Sequence, residues 1–456
     1  IARADEFASR LRDSAGQLDL LRQTTQKQVE SVADSINRLA LDLASVNKRI
    51  VETTGGSHTP NDLLDQRDQV LKELSQYVQI STVPGEGGTV NVFVAGSQPL
   101  VLGTQTARLT VERDPMDSTR IGMALVQGSL SVPLTDAALG GGELGGLMRF
   151  LNDDLQAAQT QMGRLALASA ELMNRQHALG LDLQGNPGAA FFVPPAPAVG
   201  IGAPTNTGNA SVSTVVSDPQ ALRASDYELR FEAGGISVTR LSDGVTTPVA
   251  ALPAEVDGLT FQVDAGAAAI GDRFRIRPYE AVARNLQVGI GAPGRLAVAS
   301  PVTVLPGSTN AGGLSVEGLY AVRASANLND VVTITFNPDG TYSTNALDPA
   351  NPAPDNGGPP PSYNFVPGQP IQLNGWSLTL RGSPTAGDQF TVAGAPPGST
   401  AQNAGNASAV LALRDRPTFE GVALADGYVS LFSDVGTRVQ GAKFATDFSA
   451  QIATAA

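Results

Sequence analysis

Apolar residues at Phe7, Leu11, Leu18, Leu21, Val29, Val32, Ile36, Leu39, Leu43, Val46 and Ile50 recur at steps of three, four and their sums. Such steps bring side chains onto one stripe of a long α-helix, and a stripe this narrow suits coiled-coil-like packing. From Val29 to Ile50 the alternation of three and four is unbroken. The two consecutive steps of four from Leu21 through Thr25 to Val29 predict a stutter, which locally unwinds a left-handed supercoil. Gly55-Gly56 is expected to end this helix. Thr59-Pro60 opens a second one: Thr59 offers a capping hydroxyl, Pro60 suits the first helical position, and Asp62 complements the positive helix end. Its apolar face is Leu63, Leu64, Val70, Leu71 and Leu74.

The period then changes to two. Val90 to Val94 and Leu100 to Leu102 read as short strands separated by Gly96-Ser97, so residues 79–139 are expected to form a small β lobe inserted between helices. The run Gly140-Gly141-Gly142 leads into a further helical pattern, carried by Leu144, Leu147, Phe150, Leu151, Leu155, Met162, Leu165, Leu172 and Met173, which stops near Gly180. Gly185-Asn186-Pro187-Gly188 breaks the chain, and Pro194 to Pro204 reads as a linker. At the far end, Tyr428, Leu431, Phe432, Val435, Val439, Ala442, Phe448 and Ile452 give another apolar helical face, expected to pack antiparallel to residues 1–53.

Residues 205–404 carry short β runs and an internal repeat. Arg223-Ala224-Ser225 followed by Tyr227 to Phe231 is matched by Arg323-Ala324-Ser325 followed by Val331 to Phe336. Leu259 to Val263, then Gly271-Asp272 and Arg273 to Ile276, is matched by Trp376 to Leu380, then Gly387-Asp388 and Gln389 to Val392. Two copies of one β module follow, each Gly-Asp making the turn into its last strand. Asp348 to Pro361 is a Pro/Asn/Gly loop inserted in the second copy. The predicted fold class is α+β and multidomain: a discontinuous helical core (1–78, 140–185 and 405–456), the inserted lobe (79–139), a β domain (186–300) and its second copy (301–404).

At 456 residues the chain has room for about two to four domains. Aromatics make up only 5%, so its cores are built mainly from Leu, Val, Ile and Ala. The formal charge of −13 is interrupted by no Lys/Arg run, which argues against nucleic acid and anionic membrane as partners. With no cysteine, disulfides, thiolate metal sites and cysteine nucleophiles are excluded. No apolar stretch is long enough to span a bilayer and no basic-then-apolar leader opens the chain. It begins at Ile1 inside a helical pattern, so trimmed ends are expected.

The chemistry-bearing motifs are weak. Gly140 to Gly145 and Gly289 to Gly294 both match G-x-G-x-x-G, but no βαβ unit surrounds either, and Pro293 interrupts the second. The two histidines, His58 and His177, form no metal-binding pair and support no Ser-His-Asp triad. Asp153-Asp154 and Asp65 with Asp68 read as solvated helix faces beside Arg149 and Arg67. Asn337 to Gly340 and Asp243-Gly244 read as hairpin turns, lacking the further acids of a calcium loop. Trp376 is expected in a core. No catalytic, cofactor-binding or metal-binding residue is predicted, and no enzyme activity.

Three stretches carry a family resemblance. Pro60 to Gln69 (PNDLLDQRDQ), the run Gly142 to Leu167 with Asn174 to Ala178 and Phe191-Phe192, and Tyr428 to Gly436 (YVSLFSDVG) together resemble flagellar hook-associated protein 1 (FlgK), in that family's order. The family's Asn/Ser-rich N-terminal segment and acidic C-terminal segment are absent, so the resemblance implies the outer domains, with the second β module as an extra one. It further implies a secreted structural component at the hook–filament junction, exported through the flagellar type III channel without a cleaved signal peptide. The implied partners are hook protein, hook-associated protein 3, other copies of itself in the axial structure, and an export chaperone acting on the missing C-terminal segment. The alternative drawn from the β modules alone is a secreted adhesin or carbohydrate-binding surface protein.

Overall fold

The computed structural model describes residues 1–53, 61–346, 362–419, 421–423 and scattered positions between 426 and 441. In chain order it begins with helices α1 (Ala2–Thr53) and α2 (Asn61–Tyr77). Strands β1 (Ile80–Pro84), β2 (Val90–Val94), β3 (Gln98–Leu102) and β4 (Gln105–Thr106) form one antiparallel sheet. Strands β5 (Arg108–Asp114), β6 (Asp117–Gln127) and β7 (Leu130–Leu134) form another. Helix α3 (Gly142–Arg149) runs through a π-helical turn (Phe150–Leu155) into α4 (Gln156–Ala178). Gly142 opens α3 with φ +86°, and a Cβ there would lie 2.8 Å from the Tyr77 backbone. The glycine run is therefore a close crossing of α3 over the end of α2.

The burial of α1 corrects the predicted stutter. Ala8, Ala15, Arg22, Val29, Ile36, Leu43 and Ile50 are all buried, one every seven residues. Leu21 is 43% exposed, whereas Arg22 beside it is 6% exposed. The stripe thus passes through the arginine and keeps its register, and Leu39 is only half-buried beside a buried Ala40. Among the described residues the stripe is covered by short helices and by strands such as β3, β4 and β5, so it faces several elements in turn.

The next segment also departs from expectation. Part of the supposed linker Pro194 to Pro204 forms β8 (Ala198–Val199) and β9 (Ile201–Gly202). Each half-strand is too short for an alternating pattern to reveal it. Then follow β10 (Ser211–Val216), β11 (Tyr227–Glu232), β12 (Gly235–Arg240), β13 (Thr246–Val249), β14 (Ala254–Val256), β15 (Leu259–Ala265) and β16 (Arg273–Ile276), and the short helix α5 (Val282–Asn285). The second β segment holds β17 (Val302–Pro306), β18 (Ser315–Ala321), β19 (Val332–Phe336), β20 (Thr341–Thr344), β21 (Ser362–Asn364), β22 (Pro370–Leu373), β23 (Trp376–Arg381) and β24 (Gln389–Gly394), ahead of α6 (Gly405–Ala412).

The two β segments share one strand order. The first has sheets β13-β12-β11-β16-β9 and β14-β15-β10-β8; the second has β21-β20-β19-β24-β17 and β22-β23-β18. The Gly-Asp turns are equivalent down to single hydrogen bonds. Asp272 accepts from the amides of Thr207, Gly208 and Ala269, and Asp388 from those of Ala311, Gly312 and Thr385. Beside them, Asn206 exchanges two hydrogen bonds with the Arg273 backbone, as Asn310 does with Gln389. Each aspartate gathers amides that would otherwise lose their partners on burial, which lowers its pKa.

The apolar cores do not divide in the same way. One cluster joins the start of α1 (Ala8, Leu11, Ala15), α4 and the first β segment around Tyr227 and Phe261. A second joins Val29 to Ala44 of α1 with α2, α3 and strands of both small sheets, and a small third one joins Val46 and Ile50 to Leu63 of α2. The second β segment has a core to itself, around Phe336, Leu378 and Trp376, whose ring is fully buried as expected. The tail positions Tyr428, Leu431, Phe432, Val435, Val439, Ala442, Phe448 and Ile452 lie outside the described residues, as do Gly55-Gly56, Thr59-Pro60 and the loop from Asp348 to Pro361.

Because each aspartate cradle serves only its own segment, Asp388→Ala should lower the stability of the second segment in denaturant unfolding. Hydrogen exchange should show the loosening in β17 to β24 and leave β9 to β16 as in the parent. Asp272→Ala should give the reverse pattern, and spreading of either effect through both segments would contradict the assignment.

Candidate functional site

The densest convergence of ionisable groups lies where α1, the β5–β6 turn, α4 and the end of β16 meet. Arg22 comes from the apolar stripe of α1. Its guanidinium donates to the Thr119 carbonyl and the Gln156 Oε1, each at 2.9 Å, and to Gln159 Oε1. Gln156 and Gln159 sit three apart on α4, so they face α1 together. Burial draws the pKa of Arg22 down, the charge of Arg277 adds to this, and Asp117, Asp19 and Glu280 oppose it.

Arg277 is the other buried cation, with a side chain 6% exposed. It donates to Asp117 Oδ1 at 2.9 Å, lies 2.9 Å from Glu280 Oε1, and has its Nε 3.4 Å from Asp226 Oδ2. Asp117 also accepts from Thr119, by its amide at 3.0 Å and its hydroxyl at 2.6 Å. Arg275, two positions earlier on β16, donates to Asp114 at 3.1 Å. Gln156 Nε2 donates to Asp226 at 3.1 Å, and Asp19 receives Gln159 at 3.0 Å and Arg284 at 2.9 Å. A cavity of about 90 Å³ sits among these groups, with the buried Tyr279 in its lining.

Asp226 keeps 12% of its side-chain surface. Burial pushes its carboxyl up to about 6; the negative charge of Asp117 adds to this, and Arg277 and Arg275 pull the other way. The arrangement is an ionic joint: arginines of α1, of the end of β16 and of α5 are held by acids and amides of the β5–β6 hairpin, α4, α1 and the approach to β11. Chemically it can resist separation of the helical body from the first β segment, because pulling either away leaves a charge in a poorly solvated place.

Most of the residues singled out by sequence lie elsewhere. Gly140 to Gly145 lead into α3, and Gly289 to Gly294 belong to the connection between the β segments. Asp153 and Asp154 lie on the π-helical turn, where burial raises the Asp153 carboxyl. Asp68 pairs with its neighbour Arg67 at 2.8 Å, and Asp65 is exposed on the same helix. Asp339 and Asp243 close turns by accepting the amides of Thr341 and Val245. His177 is buried at the end of α4 and His58 lies outside the described residues. Among the described residues no group of three or more His, Cys, Asp or Glu is placed to hold a metal ion, and no helix is long and apolar enough to cross a membrane.

The joint itself escaped sequence reasoning, although one signal was present. Arg273, Arg275 and Arg277 alternate with Phe274 and Ile276, so three arginines line one face of a strand. The equivalent positions in the second copy are Gln389, Thr391 and Ala393. Only the copy that merges its core with the helical body carries the cations.

A long helix shared by two cores, a first β segment merged with one of them and a second β segment with a core of its own give an α+β architecture. Residues 1–192 match the family described as flagellar hook-associated protein FlgK helical domain, and residues 202–278 match flagellar hook-associated protein 1, D2-like domain. The chain belongs to the flagellar hook-associated protein 1 (FlgK) family. It is 35% identical over 273 residues to flagellar hook-associated protein 1 of Escherichia coli (59% of this chain, 50% of the relative). It is 32% identical over 350 residues to that of Salmonella typhimurium (71% of this chain, 62% of the relative). The chain therefore spans about half to three-fifths of these relatives' lengths. The solved structure of the flagellar hook junction protein FlgK from Burkholderia pseudomallei matches 99% of this chain and 87% of its own, at 27% identity and a TM-score of 0.81. Nothing in these matches supports the adhesin reading.

Arg277→Met removes one buried cation and leaves Asp117 and Asp226 short of a partner, so it should destabilise the protein by about 3–5 kcal/mol in denaturant unfolding. For Asp226, the folded pKa lies above the usual 3.8, so the folded state holds this proton more readily than the unfolded one. Its contribution to stability is therefore greatest at low pH and declines as pH rises from about 4 to about 6. Relative to Asp226→Asn, the parent should lose on the order of 2–3 kcal/mol across that window. A parent–variant difference that stays flat with pH would contradict the burial of this carboxyl.

Proposed function

We propose that this chain is a structural subunit of the bacterial flagellum, acting outside the cell at the junction between hook and filament. The observation that carries the reading is the match of nearly the whole chain to a solved hook junction protein, across both β segments as well as the helices. The reading is mechanical and not enzymatic: the ionisable groups brought together at the joint are satisfied by one another. It places hook protein and hook-associated protein 3 as axial neighbours, other copies of the chain beside it, and an export chaperone before assembly.

The same reading divides the chain into a discontinuous helical core (1–78, 140–185 and 405–456), an inserted lobe (79–139), a β domain (186–300) and its second copy (301–404). The shared strand order of the two β segments supports the last division. The common core of α1, α4 and the first β segment supports a tightly coupled inner pair. The separate core of the second segment suits an outer attachment. The net charge of −13 favours dispersion of free subunits, with side contacts gaining strength only once many copies are aligned.

The test is complementation. The full-length gene product, supplied to a bacterium lacking its own hook-associated protein 1, should restore filament growth on bare hooks and swimming. Hooks left bare despite stable, exported protein would overturn the junction role.

A further inference from the structure

His177 and Gln176, at the end of α4, build a second joint of different chemistry. Gln176 Nε2 donates to Asn406 Oδ1 at 2.8 Å and to the Ala321 carbonyl at 3.0 Å. Asn406, on α6, donates to the Ala297 carbonyl at 2.6 Å, and the Ala407 amide donates to the Val298 carbonyl at 3.0 Å. The amide of Ala297 donates to His177 Nε2 at 2.8 Å, so that nitrogen is an acceptor. The other, Nδ1, lies 2.6 Å from the Ala189 carbonyl and must therefore carry the proton and donate. Helix α4, the connection from 286 to 300, strand β18 of the second β segment and α6 are thus tied together through one imidazole and two amides.

The fit is tight. A Cβ on Gly180 would strike Asn406 and the Ala297 carbonyl, and one on Gly188 would strike His177 itself. The ring is 3% exposed, with Phe191 edge-on at 5.6 Å. A second proton, on Nε2, would set N–H against the Ala297 N–H at hydrogen-bond distance, a repulsion that favours parting the connection from the end of α4, where Leu181 and Ala299 exchange backbone hydrogen bonds at 2.9 and 3.1 Å. We propose that His177 is a proton-operated latch: neutral, it holds the second β segment and α6 against the helical body, and charged, it lets them go.

The surroundings bear on when the latch opens. Burial lowers the ring's pKa; the hydrogen bond to Ala189 and the charge of Asp182 raise it. Asp182 faces the ring from the loop after α4 and feels Arg295 of the connection. On α4, Arg175 turns to Glu171 and to the carbonyls of Val216 and Ser217. From α6 and β18 the contacting residues, Asn406 and Ala321, carry no charge. With the folded pKa below the unfolded one, docking is complete above the ordinary histidine range and is lost as pH falls beneath it. In the ionic joint the cations are arginines and the titrating group is Asp226, whose contribution runs the opposite way, growing as pH falls.

The chain's lack of cysteine allows one label on Asp34→Cys in α1 and another on Ala386→Cys in the second segment. Distances between them are read by pulsed electron resonance between about pH 7.5 and about pH 5. In parallel, 15N-histidine NMR of the unmodified chain follows its two rings. The expected result is a His177 ring with its proton on Nδ1, titrating below a free imidazole, and a label distance that changes from one narrow distribution to a broad, longer one as that ring charges. In His177→Gln the pH transition should vanish. A ring bearing its proton on Nε2, a distance unchanged once His177 is charged, or a transition persisting in His177→Gln would each overturn the latch. The NMR arm keeps the test decisive if the glutamine variant misfolds.

Discussion

The architecture turns on one buried arginine in a helix whose inner face is otherwise uncharged. Arg22 lies where α1 passes from one core to the next: Ala8, Leu11 and Ala15 belong to the core shared with the first β segment, and Val29 to Ala44 to the core shared with α2 and the lobe. A guanidinium at such a place must have each donor met, or it costs several kcal/mol. That requirement brings Thr119 from the β5–β6 hairpin and Gln156 and Gln159 from α4 to the same point. Arg277 and its acids then complete the ring of contacts from the β side. The polar crossing thereby sets the orientation of three elements that apolar packing alone would leave free to slide.

The two β segments show how one topology is adapted to two positions. Their strand orders and aspartate cradles coincide, so the difference lies in their faces. The first presents arginines from its last strand to the helical body and merges its core with α1 and α4. The second has polar or small residues at those places, keeps its core to itself, and is attached through neutral amides and an imidazole. Charged partners and a common core favour permanence; a neutral clasp at a separate core permits movement.

Much of this was legible in the sequence where periodicity is dense. The stripe of α1, the strand Val90–Val94, the Leu100–Leu102 part of the next one, and the repeated β segment followed from spacing and turn residues. Arg22 did not, because a pattern scored on hydrophobicity prefers Leu21, and only the distant Thr119, Gln156 and Gln159 make the arginine the better inward residue. Strands β8 and β9 hid among prolines, since two-residue strands owe their existence to their partners β10 and β16. His177 looked inert for want of a second ligand, and its neighbours in space, Ala189 and Ala297, are backbone groups that no motif search can weigh.

The central claim is that the helical body and the first β segment form one cooperative unit while the second β segment stands thermodynamically apart. Calorimetric unfolding of the chain at neutral pH tests it most directly. The account predicts two transitions, the smaller belonging to the second segment and shifted alone by Trp376→Ala, which hollows its core. A first β segment that melts separately from the helices, or a single transition in which Trp376→Ala moves everything together, would contradict it.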